Sequence, residues 1–331
     1  MEIGTAIQSA FKITYNGKVV TAELAPYLLD VTYTDKLTGQ ADELELTVAD
    51  PDGRWLDKWY PQKGAEMKFE YGYSHRSLVS AGSFEVDEIE LAGPPSTVRI
   101  RAIAAGLSRQ VRTNIGKTYE KTNLKALVGI VAKRIKAKVI GDIGNIPIAK
   151  VTQYRETEWA FLIRVCFEYG YEVKLTDNNQ KIVVVKLKDL AQNKAVKTIR
   201  PSDLKSWTYR DKIKDIPAKT TVKHHDPDKK KTHSAESKAK TSETSSDVHK
   251  PKSKAHSPAQ AKVIADAAQE RSEMDKTQLT IVLPGDELLV AGSNLQIVDW
   301  GQLSGKYLST EAKHSFSRSP YTTELQMKKV G

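Results

Sequence analysis

The chain has 331 residues, 51 Lys and Arg against 41 Asp and Glu, a formal net charge of +10 and one cysteine, Cys166. That length accommodates two or three domains, each able to bury its own core. A single cysteine excludes an intrachain disulfide, and no run approaches the roughly 18 apolar residues a membrane helix needs.

The opening MEIGTAIQSAFKITYNG has no basic region followed by an apolar one, so no secretory signal is expected. A reducing cytoplasm is then the expected site of synthesis and assembly. The excess positive charge is spread along helical patterns and one polar stretch, with no compact arginine-rich patch interleaved with aromatics. It points to solubility, or to a rim facing an acidic protein, ahead of nucleic acid.

Residues 10–107 read as short strands. FKITYNGKVV alternates around Asn16-Gly17, a strong hairpin signal. In ELELTVAD, Leu44, Leu46 and Val48 take one face and Glu43, Glu45 and Thr47 the other. DPDGRWLDKWYP supplies a turn, and EMKFEYGY, SFEVDEIEL and TVRIRAIAA continue the alternation. Regular short strands of this kind predict an antiparallel barrel or sandwich.

After Gly106 the period becomes helical. Leu124, Leu127, Val128, Val131 and Ile135 share a helix face, with Thr122 or Asn123 as the cap. A second helix carries Trp159, Leu162, Cys166 and Tyr169 on one face and stops at Gly170. Two strands follow, YEVKLT and KIVVVKLK, joined at Asp177-Asn178-Asn179. Two more strand-like pieces, LKSWTYR and PAKTTVKH, lead to Lys223.

From Lys223 to Pro258 there is no Leu, Ile, Phe, Tyr or Trp. A stretch so poor in apolar surface is expected to be an exposed, mobile loop, 223–258. Ser257-Pro258 then opens a helix, 258–274, with a small Ala/Ile face. Further strands close the chain.

Reactive constellations are sparse. No nucleotide-binding, serine-hydrolase, zinc-protease or Cys-x-x-Cys motif occurs. His224, His225, His233, His249 and His256 fall in the polar stretch, without cysteines or a scaffold to preorganise a metal. Asp50 and Asp52 beside Gly53 lack the downstream glutamate of a calcium loop and read as a β-turn. Strict alternation puts Glu85 and Asp87 on one face and Glu88 and Glu90 on the other, a solvated edge or the rim of a pore. His314 has no nucleophile nearby, and Cys166 reads as a small buried thiol. No catalytic, cofactor-binding or metal-ligating residue is expected, and no enzyme activity. A peptidoglycan-cleaving enzyme would need a carboxylate pair in a cleft, Glu88 being the candidate.

Three stretches resemble the phage late control D, or baseplate hub, family of contractile tails. They are AGSFEVDEIELAGPPSTVRIRAIAAG, YRETEWAFLIRVCFEYGYEVKLTDNNQKIVVV, and LPGDELLVAGSNLQIVDWGQLSGKYLSTEAKHSFSRSPYTTELQM. The last includes Pro284-Gly285, Gly301, Gly305, His314 and Tyr321-Thr322-Thr323. A related hub stands in the type VI secretion spike proteins.

The resemblance implies a mainly β chain with an α/β insert: a first barrel-like domain at 1–111, the insert at 112–195, and a second barrel-like domain at 196–331 interrupted by the 223–258 loop and the 258–274 helix. It implies a homotrimer whose two antiparallel barrels per chain form a pseudo-sixfold ring. The expected partners are a trimeric central spike, the tail tube or its initiator, and surrounding baseplate proteins, in a phage or tail-like bacteriocin. Neither specific nucleic acid nor membrane insertion is expected. The competing reading is a basic nucleic-acid-binding protein that uses the lysine-rich 223–258 segment as an arm.

Overall fold

The computed structural model describes residues 8–38, 41–104, 114–176, 180–213, 216–226, 231–240, 244–253 and 255–330. The expected turn at Asp177-Asn178-Asn179 and the boundary near residue 111 lie outside them. The fold is mainly β, and its apolar residues gather into three principal cores.

The first core belongs to the N-terminal strands. β1 (Ser9–Tyr15) turns into β2 (Lys18–Val19) through Asn16 and Gly17, whose φ values of 44° and 81° are those a two-residue hairpin needs. β3 (Leu28–Lys36), β4 (Glu43–Ala49), β5 (Glu66–Tyr73), β6 (Val79–Ala92) and β7 (Thr97–Ala104) complete an antiparallel run in the order β3-β4-β7-β6-β5-β1-β2. Leu44, Leu46 and Val48 point inward as their alternation predicts, against Phe69, Phe84 and Ile100.

The second core is the α/β insert. β8 (Ile115–Asn123) and β10 (Pro147–Glu156) form a ribbon, while β11 (Tyr171–Thr176), β12 (Lys181–Lys186) and β9 (Lys138–Ile140) form a small mixed sheet. The Leu124–Arg134 helix is capped by Asn123, whose Oδ1 accepts the Ala126 N–H at 2.8 Å. Thr157 caps the Glu158–Glu168 helix in the same way at 3.1 Å. Leu162 and Cys166 are buried as expected, but Phe161 and Val165 are equally buried, so this helix is covered on more than one side.

In its described residues, the 223–258 segment is not the mobile loop that its composition predicts. β15 (Lys219–Asp226) and β16 (Lys231–Lys238) pair residue for residue, and β17 (Val248–His249) joins them in parallel. Thr220 and Val222 are fully buried and His233 nearly so. Small side chains at period two suffice here because the opposing wall is the alanine-rich Pro258–Met274 helix. Thr220 donates to Gln269 of that helix at 2.8 Å.

Nor does the helix interrupt a second barrel's core. Ala261, Ile264 and Ala265 enter the insert core beside Leu162 and Cys166. Gln260 donates to the Tyr169 hydroxyl at 2.6 Å, and Arg271 pairs with Glu172 while lying 3.8 Å above the Phe167 ring. Gly170 permits this approach. Its φ is 80°, and a Cβ there would sit 3.1 Å from the Ala267 Cβ. The insert is thus assembled from two separate stretches of chain.

The third core lies among the C-terminal strands: β13 (Ala195–Ile199), β14 (Ser206–Asp211), β18 (Thr277–Pro284), β19 (Asn294–Ile297), β20 (Gly305–Ser317) and β21 (Thr322–Lys329). They run β14-β18-β21-β20, with β19 on β20; β13 departs from the antiparallel expectation by pairing with β19 in parallel. The two β halves are not separate sheets. The distal part of β20 pairs with β3 from Glu311↔Lys36 to Ser317↔Asp30, giving one 13-stranded sheet. Phe316 and Tyr321, close to the C-terminus, consequently pack in the first core.

Candidate assembly surfaces

Where the three cores meet, charge is buried. Lys174 of β11 reaches Asp35 at the end of β3 and lies 3.3 Å from Asp42. It also donates to the Lys36 carbonyl at 3.0 Å, and Asp35 accepts the Ala291 N–H of the second half at 2.9 Å. Thr38 bonds the Val173 backbone in both directions, at 3.1 and 3.2 Å. Burial pushes the Asp42 carboxyl up to about 6 against the pull of Lys174, and the Asp35 charge adds to the rise. Although burial opposes it, these two carboxylates hold the Lys174 ammonium above its ordinary pKa. Lys174 thus ties the insert to the first β half, and Asp35 carries the link on to the second.

His314 sits beside this junction, fully buried. Its Nδ1 is 2.7 Å from the Tyr321 hydroxyl, and its ring stacks on Tyr33 at 5.9 Å. Burial pushes its pKa down to about 4, against the Asp35 charge. It is a core histidine, and the Thr323 hydroxyl also lies 3.3 Å from its Nδ1. Tyr321 also explains Gly285, because a Cβ there would fall 2.0 Å from its ring.

The other expected candidates scatter. Cys166 is buried, its thiol pushed up to about 12 chiefly by desolvation. Asp50 accepts the Trp55 N–H, and Asp52 pairs with Arg54 across a turn in which Gly53 has φ 69°. His233 is buried and His249 exposed; the side chains of His224 and His225 lie outside the described residues. Among the described residues no group of three His, Cys, Asp or Glu could hold a metal ion.

The carboxylates of β6 do not divide as strict alternation predicts. The register shifts between Val86 and Glu88, a bulge at Asp87. Phe84, Val86 and Ile89 therefore face the core, and Glu85, Glu88 and Glu90 all face outward. On that outer face Arg101 meets Glu43 at 2.5 Å and Glu88 at 3.5 Å, and Arg99 meets Glu90 at 3.3 Å and Glu45 at 3.4 Å. The result is a ladder of ion pairs across three strands. Sequence alternation alone could not locate it, because one extra residue inverts the phase.

Among the described residues, open edges lie along β14, which pairs only with β18, along β13, which pairs only with β19, and at the β1 end, where Ser9–Lys12 pair only with β5. Trp207, in β14, is 51% exposed. No helix of the described residues is long and apolar enough to cross a membrane.

The fold is similar to that of several solved tail proteins. The chain is similar to the 43 kDa tail protein of prophage MuSo2 from Shewanella oneidensis, with a TM-score of 0.74 at 14% identity over 97% of this chain and 98% of that one. A tail protein from Neisseria meningitidis MC58 gives 0.71 at 13% identity, over 97% of both. The Escherichia coli c3393 protein, a type VI secretion component, gives 0.56 at 12% identity over 99% of this chain and 76% of that one. Within that fold, residues 80–320 match the phage tail baseplate hub (GPD) family, and the chain belongs to it. The probable baseplate hub proteins of Escherichia phages 186 and P2 are 30% and 28% identical over 53% of this chain. The matched stretch spans 45% of each of those relatives.

Proposed function

We propose that the chain is the structural hub of a phage or bacteriocin baseplate, a homotrimer that joins the hexameric tail tube to a trimeric central spike. The observation that carries this reading is the continuous sheet with two apolar β cores and, among the described residues, open edges in both halves. An unpaired edge is an aggregation template, and natural proteins cover it. Joining β14 of one chain to β1 of the next would cover one edge from each half. A heterologous contact of that kind closes into a ring when the rotation is right. Three chains then supply six β units, the number that matches a sixfold tube above and a threefold spike below.

Under this reading the function resides in surfaces, and no catalysis is required. Glu88 and Glu90 belong to ion pairs, and the basic-arm alternative has no support in the described residues of the segment, where β15 and β16 are paired strands that place Val222 and Ala235 in the insert core. Assembly takes place in the host cytoplasm, with the tube initiator and neighbouring baseplate proteins as further partners.

The test is the native mass of the full chain co-expressed with the spike protein of its gene cluster. A three-to-three complex is expected. A one-to-one complex, or no complex beside a strictly monomeric chain, would overturn the reading.

A further inference from the structure

The positive charge of the chain has a centre in the insert. From Lys121 to Gly141 there are six lysines and arginines and no Asp or Glu. Arg134 turns inward to Glu158 at 2.5 Å. Lys121, Lys125, Lys133, Lys136 and Lys138 are exposed. Among the described residues none of these five forms an ion pair. Like charges gathered without counter-charges repel one another, and an acidic partner relieves that repulsion.

The Leu124–Arg134 helix carries the middle of this face. Leu124, Leu127, Val128 and Val131 are buried in the insert, so the outer side shows Lys125, Gly129 and Lys133, each one turn after the last. From Lys125 to Lys133 the helix rises roughly 12 Å, at about 1.5 Å per residue. Nothing inside the chain requires Gly129, since a Cβ there would meet nothing within 4 Å. Glycine also disfavours a helix interior. What it provides is bare backbone between two lysines, where another surface can approach closely. Ile130 beside it is 37% exposed. Lysines mixed with an exposed isoleucine and bare backbone suit a protein partner, whereas a phosphate backbone is met mainly by charge.

The chain itself carries a surface of the matching kind. On the outer face of the first β half, a hollow of about 260 Å³ is lined by Glu43, Glu45, Glu88, Glu90, Arg99 and Arg101. Each arginine is shared between two glutamates. Lys36, 3.6 Å from Glu43, adds a third cation, and Asp87, exposed at the bulge, adds a fifth carboxylate. Five carboxylates against three cations leave negative charge in excess around a hollow that an ammonium group can enter. The ladder crosses three neighbouring strands, roughly 10 Å at about 4.8 Å per strand, close to the span from Lys125 to Lys133.

The two surfaces are also placed to meet between copies. β7, the middle of the ladder, lies three strands from β1, roughly 14 Å. β1 is the edge that meets β14 of another copy in the proposed ring, so that contact brings a second chain close to the ladder. The lysine helix packs near β9, the edge of the insert sheet opposite β11, whose Lys174 ties the insert to its own first half. Its lysines are thereby set apart from their own chain's ladder.

We propose that this lysine face docks on the carboxylate ladder of a second copy of the chain, Lys125 and Lys133 reaching its glutamates on either side of Gly129. The choice of a second copy as occupant rests on the hub reading, in which copies meet head to tail.

The test is the dissociation constant of the trimer, measured by analytical ultracentrifugation on the full chain, alone and with its spike protein, at low and high salt. Assembly should weaken with salt. Lys125→Glu with Lys133→Glu should weaken it about a hundredfold, and Glu88→Lys with Glu90→Lys by a similar factor. Joining all four substitutions restores the attraction with its sense reversed and should recover at least about tenfold. Gly129→Gln, a better helix former, should leave the thermal melt unchanged or raised while weakening assembly about tenfold. Should the glutamate reversal fail to fold, Glu88→Gln with Glu90→Gln takes its place, and the lysine reversal should then cost less in that background. Assembly indifferent to the lysine reversal would overturn the proposal, and so would a loss that the joined substitutions do not recover. Retention on a DNA column that the lysine reversal abolishes, with the trimer unchanged, would give the face to nucleic acid instead. A wild-type chain that stays monomeric in both conditions would remove the hub reading together with the proposal. A trimer indifferent to every substitution would remove the proposal alone.

Discussion

The two β halves share one sheet but are filled differently. The first core is aromatic: Tyr33, Phe69, Tyr71, Phe84 and Phe316 make a chain of ring contacts with centroids 5.5 to 6.4 Å apart. The second is aliphatic, built on Leu279, Ile281, Leu295, Ile297 and Leu325, with Tyr307 as its one buried ring. A fold tolerates wide exchange of core residues when volume and patterning are kept. That freedom explains why the halves carry no residue-level repeat. The exchange has a structural consequence. The aromatic core takes in Phe316 and Tyr321 from the C-terminal strands, while the aliphatic core is built from residues after Leu187 alone.

The buried charge that joins the halves is the most sensitive place to break this arrangement. Asp35→Asn leaves Lys174 short of a partner in a desolvated site, and one-sided removal of a buried pair costs about 3–5 kcal/mol. Chemical denaturation should register that loss, and Asp35→Asn combined with Lys174→Met should recover part of it. Phe316→Ala should cost about 3–5 kcal/mol as well. Hydrogen exchange should place the loss among β3, β5 and β6, in the first half, although residue 316 lies near the C-terminus.

Acid probes the same junction. His314 titrates near 4 when folded and near 6.5 when unfolded, so the unfolded chain takes up the proton first as pH falls. Its contribution to stability is complete above pH 6.5 and lost towards pH 4, by about 3 kcal/mol. Asp42, raised to about 6, works the other way, because its folded form is protonated first. Comparing wild type with His314→Asn by urea denaturation at pH 7 and pH 4 isolates the histidine. The variant's deficit at pH 7 should shrink or reverse at pH 4. In the aliphatic half, Ile281→Val should cost only about 1 kcal/mol and leave first-half protection unchanged.

Much of this was legible in the sequence, element by element. Asn16-Gly17, the Leu44-Leu46-Val48 face, the Asn123 and Ser257 caps and the Gly170 stop all act through local chemistry, and a sequence displays local chemistry directly. Non-local partners were not legible. Composition alone could not reveal that Thr220 and Val222 have an alanine-rich helix to lie against. Nor could it reveal that β20 is long enough to serve both halves, or that a bulge at Asp87 turns Glu85 to the side of Glu88. Asp35 and Lys174 are 139 residues apart, and nothing in either neighbourhood announces the other.

The most direct measurement is a cross-link between the open edges. Cysteines replacing Ala10 in β1 and Thr208 in β14 would face each other across the proposed head-to-tail contact, and native Cys166 is buried and will not compete. Under mild oxidation the double variant should run on a non-reducing gel as a closed covalent trimer of about 110 kDa, three times 36.8 kDa. Thiols that stay free in a protein already trimeric by native mass would contradict the edge-to-edge ring.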